Sequence, residues 1–135
     1  MSHYLLASHS DVTAIIEREK SYFMIQEPSG LWNFPRARIQ GNYRFGLETA
    51  ILEDFGMSIE AGSTLHSGRK PFLQDMFRLT AVVHCIYLQG EVNKDNLPSH
   101  IKDVAWVKPH EMLLYDISKA NLPFIETLKR REKGL

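Results

Sequence analysis

The chain has 135 residues, enough for one domain with a substantial hydrophobic core and too few for two. Its 16 basic residues balance 16 acidic residues, so the whole molecule has no electrostatic preference for nucleic acid or anionic lipid. A single cysteine excludes an internal disulfide, no apolar run approaches the ~20 residues that span a bilayer, and the N-terminus does not resemble a secretory signal. We therefore expect one domain over residues 1–135, located in the cytoplasm and without membrane contact.

Apolar and β-branched residues predict three extended segments before the first helix, at residues 12–16, 22–26 and 32–39. A polar turn at residues 17–20 separates the first two segments. Pro35 predicts a kink in the third, because proline lacks a backbone donor and restricts the residue before it.

The next segment changes to helical spacing. Leu47, Ala50, Ile51 and Phe55 recur at the intervals of one helix face, and Gly56 follows as a C-cap. This pattern predicts one internal helix.

The second half of the chain predicts two more strands and a closing helix. Residues 77–88 are apolar on both faces, which suits a central strand, and residues 104–107 form a shorter one. The last helix is predicted over residues 122–133, with Asn121 as N-cap and Pro123 in the first turn. The order of elements predicts a mixed α/β sandwich.

Several motifs of the chain resemble the Nudix hydrolase superfamily. They are an apolar strand, a Ser-Gly turn, a Trp and an apolar-Pro pair at residues 25–35, a diadenosine polyphosphate hydrolase-like pattern at 36–39, a Glu-Thr-Ala helix opening at 48–50, a Glu-Asp-Phe-Gly-apolar close at 53–57, and late motifs at 103–112 and 121–124. They follow the family's order over nearly the whole chain. The resemblance implies a Nudix-fold α/β/α sandwich with a mixed central sheet, one internal Nudix-type helix and a C-terminal helix.

The resemblance also implies a metal-assisted chemistry. The family pattern is G-x5-E-x7-R-E-U-x-E-E-x-G-U, where U is apolar, and its members hydrolyse a phosphoanhydride in nucleoside diphosphates linked to another group. Mg²⁺ needs several oxygen ligands, which helical carboxylates one turn apart can supply. The metal polarises a phosphoryl oxygen and lowers the pKa of the attacking water.

The chain departs from this pattern in four ways. Arg36 and Ala37 replace the two glycines, and no acidic residue lies between Pro28 and Leu47. The stretch from Ala37 to Gly56 is two residues short of the pattern, and the Arg-Glu pair is damaged. The motif is therefore a degenerate Nudix box.

The register of the helix decides which acids survive. Anchoring on Gly56 places Glu53 and Asp54 on the family's acidic pair, while Thr49 and Ala50 occupy its Arg-Glu positions. Anchoring on the Glu-Thr-Ala opening instead keeps one carboxylate. We prefer the first register, which implies Glu53 and Asp54 as catalytic residues and Mg²⁺ ligands; the alternative is a solvated acidic helix end.

The loop before the helix has gained positive charge. Arg36, Arg38 and Arg44 flank the region that would face the substrate, and arginine binds phosphate without a metal. We therefore interpret them as substrate-binding residues, the alternative being three unrelated surface arginines. Arg69 and Lys70 could add to the same surface.

Other reactive or aromatic residues are interpreted as structural. Cys85 and His84 lie in an apolar strand and are expected in the core rather than as nucleophile or base. Trp32 and Trp106 are likewise expected to be core aromatics, and Glu48 to favour the helix dipole.

Three functional hypotheses remain open. The first is a divergent hydrolase, weak or altered in substrate, that uses Mg²⁺. The second is a non-catalytic module that binds a nucleotide-like small molecule, an RNA segment or a protein partner, which the missing acids and the gained arginines favour. A structural subunit of a larger assembly is a third.

Overall fold

A computed structural model describes residues 9–73 and 76–134 of the chain, and the side chains of residues 10–68 and 79–134. Residues 1–8, which contribute to the prediction that no secretory signal is present, lie outside this part. The described residues fall into two compact units. One joins residues 9–16 to Arg36–Val92, and the other joins Glu17–Pro35 to residues 93–134. That the chain forms a single domain stays a prediction.

The strands and helices of the described residues follow the predicted order. They are β1 (His9–Arg18), β2 (Ser21–Gln26), β3 (Trp32–Asn33), β4 (Arg36–Gln40), α1 (Tyr43–Phe55), β5 (Ser58–Leu73), β6 (Met76–Gln89), β7 (Asp103–Val107) and α2 (Leu122–Glu132). Short 3-10 segments lie at Lys94–Asn96, Pro109–Leu114 and Lys119–Asn121. In this part of the chain, neither helix has the length and apolar character needed to cross a membrane.

The strands of the first unit confirm the predicted central strand. β6 lies between β1 and β5, and it pairs with β5 in antiparallel register. β4 pairs with the first half of β1, also antiparallel. β5 was not expected from the sequence, because Gly62, Gly68 and Pro71 interrupt the alternating pattern that predicts a strand. Its register with β6 also shifts between Ala61 and His66.

Helix α1 is capped at both ends by its own sequence. The side-chain oxygen of Asn42 accepts hydrogen bonds from the backbone N–H groups of Arg44 and Phe45, at 3.1 Å each. Gly56 adopts a left-handed φ of 67° and donates to the Leu52 carbonyl at 2.9 Å, which confirms the predicted C-cap. The helix thus begins well before Leu47, and the short Nudix-like loop does not unwind its start.

A glycine in the first half of α1 allows the helix to approach β4 closely. A Cβ atom at Gly46 would collide with Cγ2 of Ile39 on that strand. The buried residues of α1 are Leu47, Ile51 and Phe55, one face of the helix as the spacing predicts. This packing fixes the Ile39 face of β4 as the face that contacts α1.

The second unit is built around β2, which pairs with β3 and β7. The end of β1 forms a hairpin with β2 through Glu19 and Lys20, which have left-handed φ values of 51° and 64°. The turn is therefore shorter than predicted and contains only Glu19 and Lys20, because Glu17 and Arg18 pair with the start of β2.

Asn121 is the N-cap residue of α2, as predicted, but its side chain does not cap the helix. No side-chain cap hydrogen bond is present there, and Asn121 Nδ2 instead donates to Oδ1 of Asn33 at 2.6 Å. Both amides are buried, so each needs a polar partner more than the helix end does. Pro123 near the start of the helix and the basic last turn are as predicted.

The predicted core residues divide into a buried and a half-buried group. Cys85 is fully buried, and Trp32 is buried with its ring edge-on to Tyr115 at 5.0 Å, both as expected. His84 is half-buried. Trp106 is also half-buried rather than internal, and the Arg18 guanidinium lies 4.2 Å from the centre of its ring.

Candidate phosphate-binding face

Strand β4 separates its side chains onto two faces. Arg36 and Arg38 are exposed, whereas Ile39 is buried and contacts α1. Because side chains alternate along a strand, the two arginines project from the face opposite to α1. On that face Thr13 and Asp11 of β1 lie directly across from Arg36 and Arg38, respectively. The register thus assembles two guanidinium groups, one hydroxyl and one carboxylate.

This face carries a cavity of about 310 Å³ lined by Asp11, Arg36, Ala37 and Arg38. Arg38 Nε lies 3.5 Å from Asp11 Oδ1, and the Arg38 side chain remains 61% exposed. That separation is long for a charge-assisted hydrogen bond, whose typical length is about 2.8 Å. Within the described residues, the Arg36 side chain makes no ion pair or hydrogen bond, so both guanidinium groups can accept an anion.

The third predicted arginine lies elsewhere. Arg44 is in the first turn of α1, where its Nη2 donates to Thr64 Oγ1 on β5 at 3.3 Å. The Tyr43 hydroxyl also bonds this threonine oxygen, at 2.8 Å. Arg44 is absent from the residues that line the cavity. The side chains of Arg69 and Lys70, which could have extended the basic surface, lie outside the described part of the chain.

Glu48 has a structural role that the sequence did not reveal. Its Oε2 accepts a hydrogen bond from the Ala61 N–H at 2.8 Å, which ties α1 to the irregular part of β5. The expectation that it acts on the helix dipole is wrong, because the first turn of α1 contains no acidic residue. Burial, and secondarily the Glu48 charge, raise the pKa of the Cys85 thiol to about 12. Cys85 is therefore a protonated core residue, not a nucleophile.

The predicted metal ligands Glu53 and Asp54 are exposed near the end of α1. Gly56, on which the preferred register is anchored, caps the helix two residues after Asp54, and adjacent helical residues point about 100° apart. No group of three or more His, Cys, Asp or Glu side chains able to hold a metal ion occurs among the described residues. The catalytic and metal-ligand roles of Glu53 and Asp54 stay predictions.

The acidic and basic halves of the predicted site do not converge. Arg36 and Arg38 project from the face of β4 that is turned away from α1, which carries Glu53 and Asp54. The sequence missed Asp11 as a member of the basic face. Its alternation with the buried Val12 indicated an outward side chain, but its partner depends on a pairing 27 residues away.

Comparisons with known proteins identify the fold. No protein-family profile and no curated protein matches the sequence. Solved structures do match, among them the MutT protein from Methanosarcina mazei Go1, with 18% identity, a TM-score of 0.70, and coverage of 92% of this chain and 94% of that one. A NUDIX hydrolase from Nitrosomonas europaea is 15% identical with a TM-score of 0.73 over 95% and 74% of the two chains.

An ADP-ribose pyrophosphatase from Streptococcus suis 89-1591 is 16% identical, with a TM-score of 0.67 over 91% of this chain and 88% of that one. At such identities the likeness defines the architecture alone. It is an α/β/α sandwich with a mixed sheet, an internal helix and a C-terminal helix, as predicted. The chain has the Nudix fold.

Proposed function

We propose that this Nudix-fold protein binds the phosphate groups of a nucleotide-like small molecule through Arg36 and Arg38, without a divalent metal. The observation that carries the proposal is the cavity lined by both arginines on the exposed face of β4. Guanidinium groups bind phosphate oxygens in a bidentate fashion and keep their charge at any physiological pH.

The spacing of the two arginines suits this role. Residues two apart on a strand lie about 7 Å apart, so their side chains can reach different oxygens of one mono- or diphosphate group. The small volume of the cavity favours a small molecule over an RNA segment or a protein. The lone, buried cysteine supports a cytoplasmic location, which we also propose.

Mg²⁺-dependent hydrolysis is the second candidate function. It is supported by the Gly56 cap, the anchor of the register that aligns Glu53 and Asp54 with the family's acidic pair, and by the likeness to structures named as hydrolases. Against it stands the separation of these acids from the arginines, which project from the face of β4 turned away from α1. We therefore rank metal-independent binding first.

A thermal-shift titration distinguishes the two functions. The protein is titrated with ADP, ADP-ribose, ATP and a dinucleoside polyphosphate, each with Mg²⁺ and with EDTA. A ligand that binds the folded state raises the midpoint of unfolding. We expect stabilisation in EDTA and its loss in Arg36→Ala and in Arg38→Ala. Arg130→Ala is the matched control and should keep the stabilisation, because it removes the same charge at an exposed position of α2.

Other outcomes would redirect the assignment. Stabilisation that requires Mg²⁺ and disappears in Glu53→Gln supports the hydrolase, and product formation should then be measured by phosphate release. If no ligand shifts the midpoint, the small-molecule proposal fails and an RNA or protein partner becomes the candidate.

A further inference from the structure

We propose that a second cavity, built from residues of the second unit, binds a small carboxylate monoanion through Lys20, Tyr22 and Arg131. The cavity has a volume of about 260 Å³. Its lining residues all belong to the second unit and are Glu17, Lys20, Tyr22, Pro109, Arg131 and Glu132. None of them lines the arginine cavity, so the site is independent of the proposed phosphate binding.

The two basic side chains of this cavity come from separate elements and are free to bind a ligand. Lys20 lies in the turn between β1 and β2, and Arg131 lies in the last turn of α2. Both are exposed, and neither side chain makes an ion pair or hydrogen bond within the described part of the chain. An anion that enters the cavity therefore meets two positive charges without displacing a partner from either.

The two acidic side chains of the cavity already have partners. Glu17 accepts a hydrogen bond from the Tyr22 hydroxyl, and Glu132 Oε2 lies 2.9 Å from His110 Nδ1. A cationic ligand would have to compete with these contacts. The two carboxylates also limit the charge of an anionic ligand, because each repels a dianion about twice as strongly as a monoanion at the same distance. The cavity therefore favours a monoanion.

The Tyr22 hydroxyl supplies a buried donor in this cavity. Tyr22 is 4% exposed, yet its hydrogen bond to Glu17 measures 3.3 Å, whereas about 2.7 Å is typical for a hydroxyl donor. Burial, and secondarily the Glu17 charge, raise the pKa of Tyr22 from 10.0 to about 12, so the hydroxyl keeps its proton at neutral pH. The Arg131 charge lowers the same pKa, which shows that this guanidinium acts on the hydroxyl. One carboxylate oxygen can thus accept from Tyr22 while the group faces Arg131.

A carboxylate matches these three donors in shape and charge. A guanidinium group binds its two oxygens side by side, and an ammonium group adds a point charge from another direction. Pro109 adds an apolar wall, and the volume is too small to enclose a nucleotide. The ligand class is therefore a monocarboxylic acid with a compact apolar body, for which benzoate is a suitable probe.

An NMR titration of the nitrogen-15-labelled protein at about pH 7 tests the site residue by residue. Benzoate and phenyl phosphate carry the same ring, but the first is a monoanion and the second is mostly a dianion. We expect benzoate to shift the backbone amide signals of Lys20, Tyr22 and Arg131, with a dissociation constant on the order of 1 mM. Phenyl phosphate should bind this cavity at least about threefold more weakly.

Substitutions assign the binding to the three donors. Arg131→Ala should weaken benzoate about tenfold, and Lys20→Ala and Tyr22→Phe should each weaken it several-fold, as the loss of one hydrogen bond predicts. Arg130→Ala is the matched control and should keep the affinity, because it removes the same charge from an exposed neighbouring position that does not line the cavity. Urea unfolding verifies that each variant is folded.

The results separate this site from the arginine cavity. The carboxylate site is wrong if benzoate leaves the three amide signals unshifted, or if Arg131→Ala binds benzoate as tightly as the control variant does. Equal affinity of the cavity for both compounds overturns its preference for a monoanion. Phenyl phosphate should shift the amide signals of Arg36 and Arg38 in the same spectra and lose this effect in Arg36→Ala, so either proposal can fail while the other stands.

Discussion

Strand β4 and helix α1 follow each other in the chain, and each carries one half of the predicted site. On β4, alternation alone decides the outcome: the arginines are exposed and Ile39 is buried. On α1, Glu53 and Asp54 are exposed, whereas Glu48 accepts a hydrogen bond from the backbone of β5. The comparison teaches that charged side chains on the exposed face of a strand remain available to a ligand. A charged side chain on a packed helix can instead be used in a hydrogen bond that stabilises the fold.

The contact between the two elements should be the most sensitive to substitution. Gly46→Ala places a methyl group against Ile39 and should destabilise the fold by about 1–3 kcal/mol, the typical cost of overpacking. Urea unfolding measures the change. In an Ile39→Ala background, which lacks the colliding atom, the same Gly46→Ala substitution should cost less. A stabilised Gly46→Ala protein, as helix propensity alone would give, would contradict the close approach.

The structural use of Glu48 predicts a difference between two acids of the same helix. Glu48→Ala leaves the Ala61 N–H without its acceptor and should cost about 1–3 kcal/mol in denaturant unfolding. Glu48→Gln keeps an acceptor oxygen and should cost less. The exposed Glu53→Ala is the matched control and should change stability by at most about 0.5 kcal/mol. Equal losses at the two positions would show that Glu48 is not tied to β5.

The buried thiol beside Glu48 predicts a pH dependence. The pKa of Cys85 is raised from 9.0 to about 12, so between these values the folded protein keeps a proton that the unfolded chain has lost. Stability therefore falls as pH rises from about 9 towards 12, by at most about 1.4 kcal/mol per pH unit for this group.

Stability should depend less steeply on pH in Cys85→Ala than in the wild type over this range, as measured by urea unfolding at matched pH values. Glu48→Gln should lower the thiol pKa, which alkylation rates would report. Identical pH slopes in wild type and Cys85→Ala would show that the thiol ionises equally easily in both states.

The smallest effect is expected at the arginine that leaves the basic face. Arg44→Ala loses one exposed hydrogen bond to Thr64 and should change stability by no more than about 0.5 kcal/mol. Its affinity for ADP-ribose in EDTA should match the wild type, whereas Arg36→Ala should lose most of it. Equal loss in both variants would return Arg44 to the binding site and remove the distinction drawn from strand alternation.

The sequence predicted most of the regular structure and only part of the site. Helical spacing and Gly56 located α1, and a run apolar on both faces identified β6 as central. β5 was not predicted because its glycines, its proline and its bulges interrupt the alternating pattern of a strand. The hydrogen-bonded pairing with β6 stabilises the extended conformation that its own residues do not favour.

The limits at the site have the same origin. Arg36 and Arg38 were identified from their own chemistry, but the partnership with Asp11 depends on which residues two distant strands bring into register. Asn121 was correctly predicted at the start of α2, but its side chain donates a hydrogen bond to the buried amide of Asn33 on β3. Position follows from local pattern, whereas the partner of a polar group follows from tertiary structure.

The hairpin between β1 and β2 offers a position where substitution should raise the stability of the protein. Glu19 and Lys20 hold left-handed conformations that asparagine and glycine adopt at lower cost. Replacing the two with Asn-Gly relieves this strain at an exposed turn that does not line the arginine cavity. Such a background would tolerate costly substitutions in α1 and β4, and would let weakened variants be purified and compared as folded proteins.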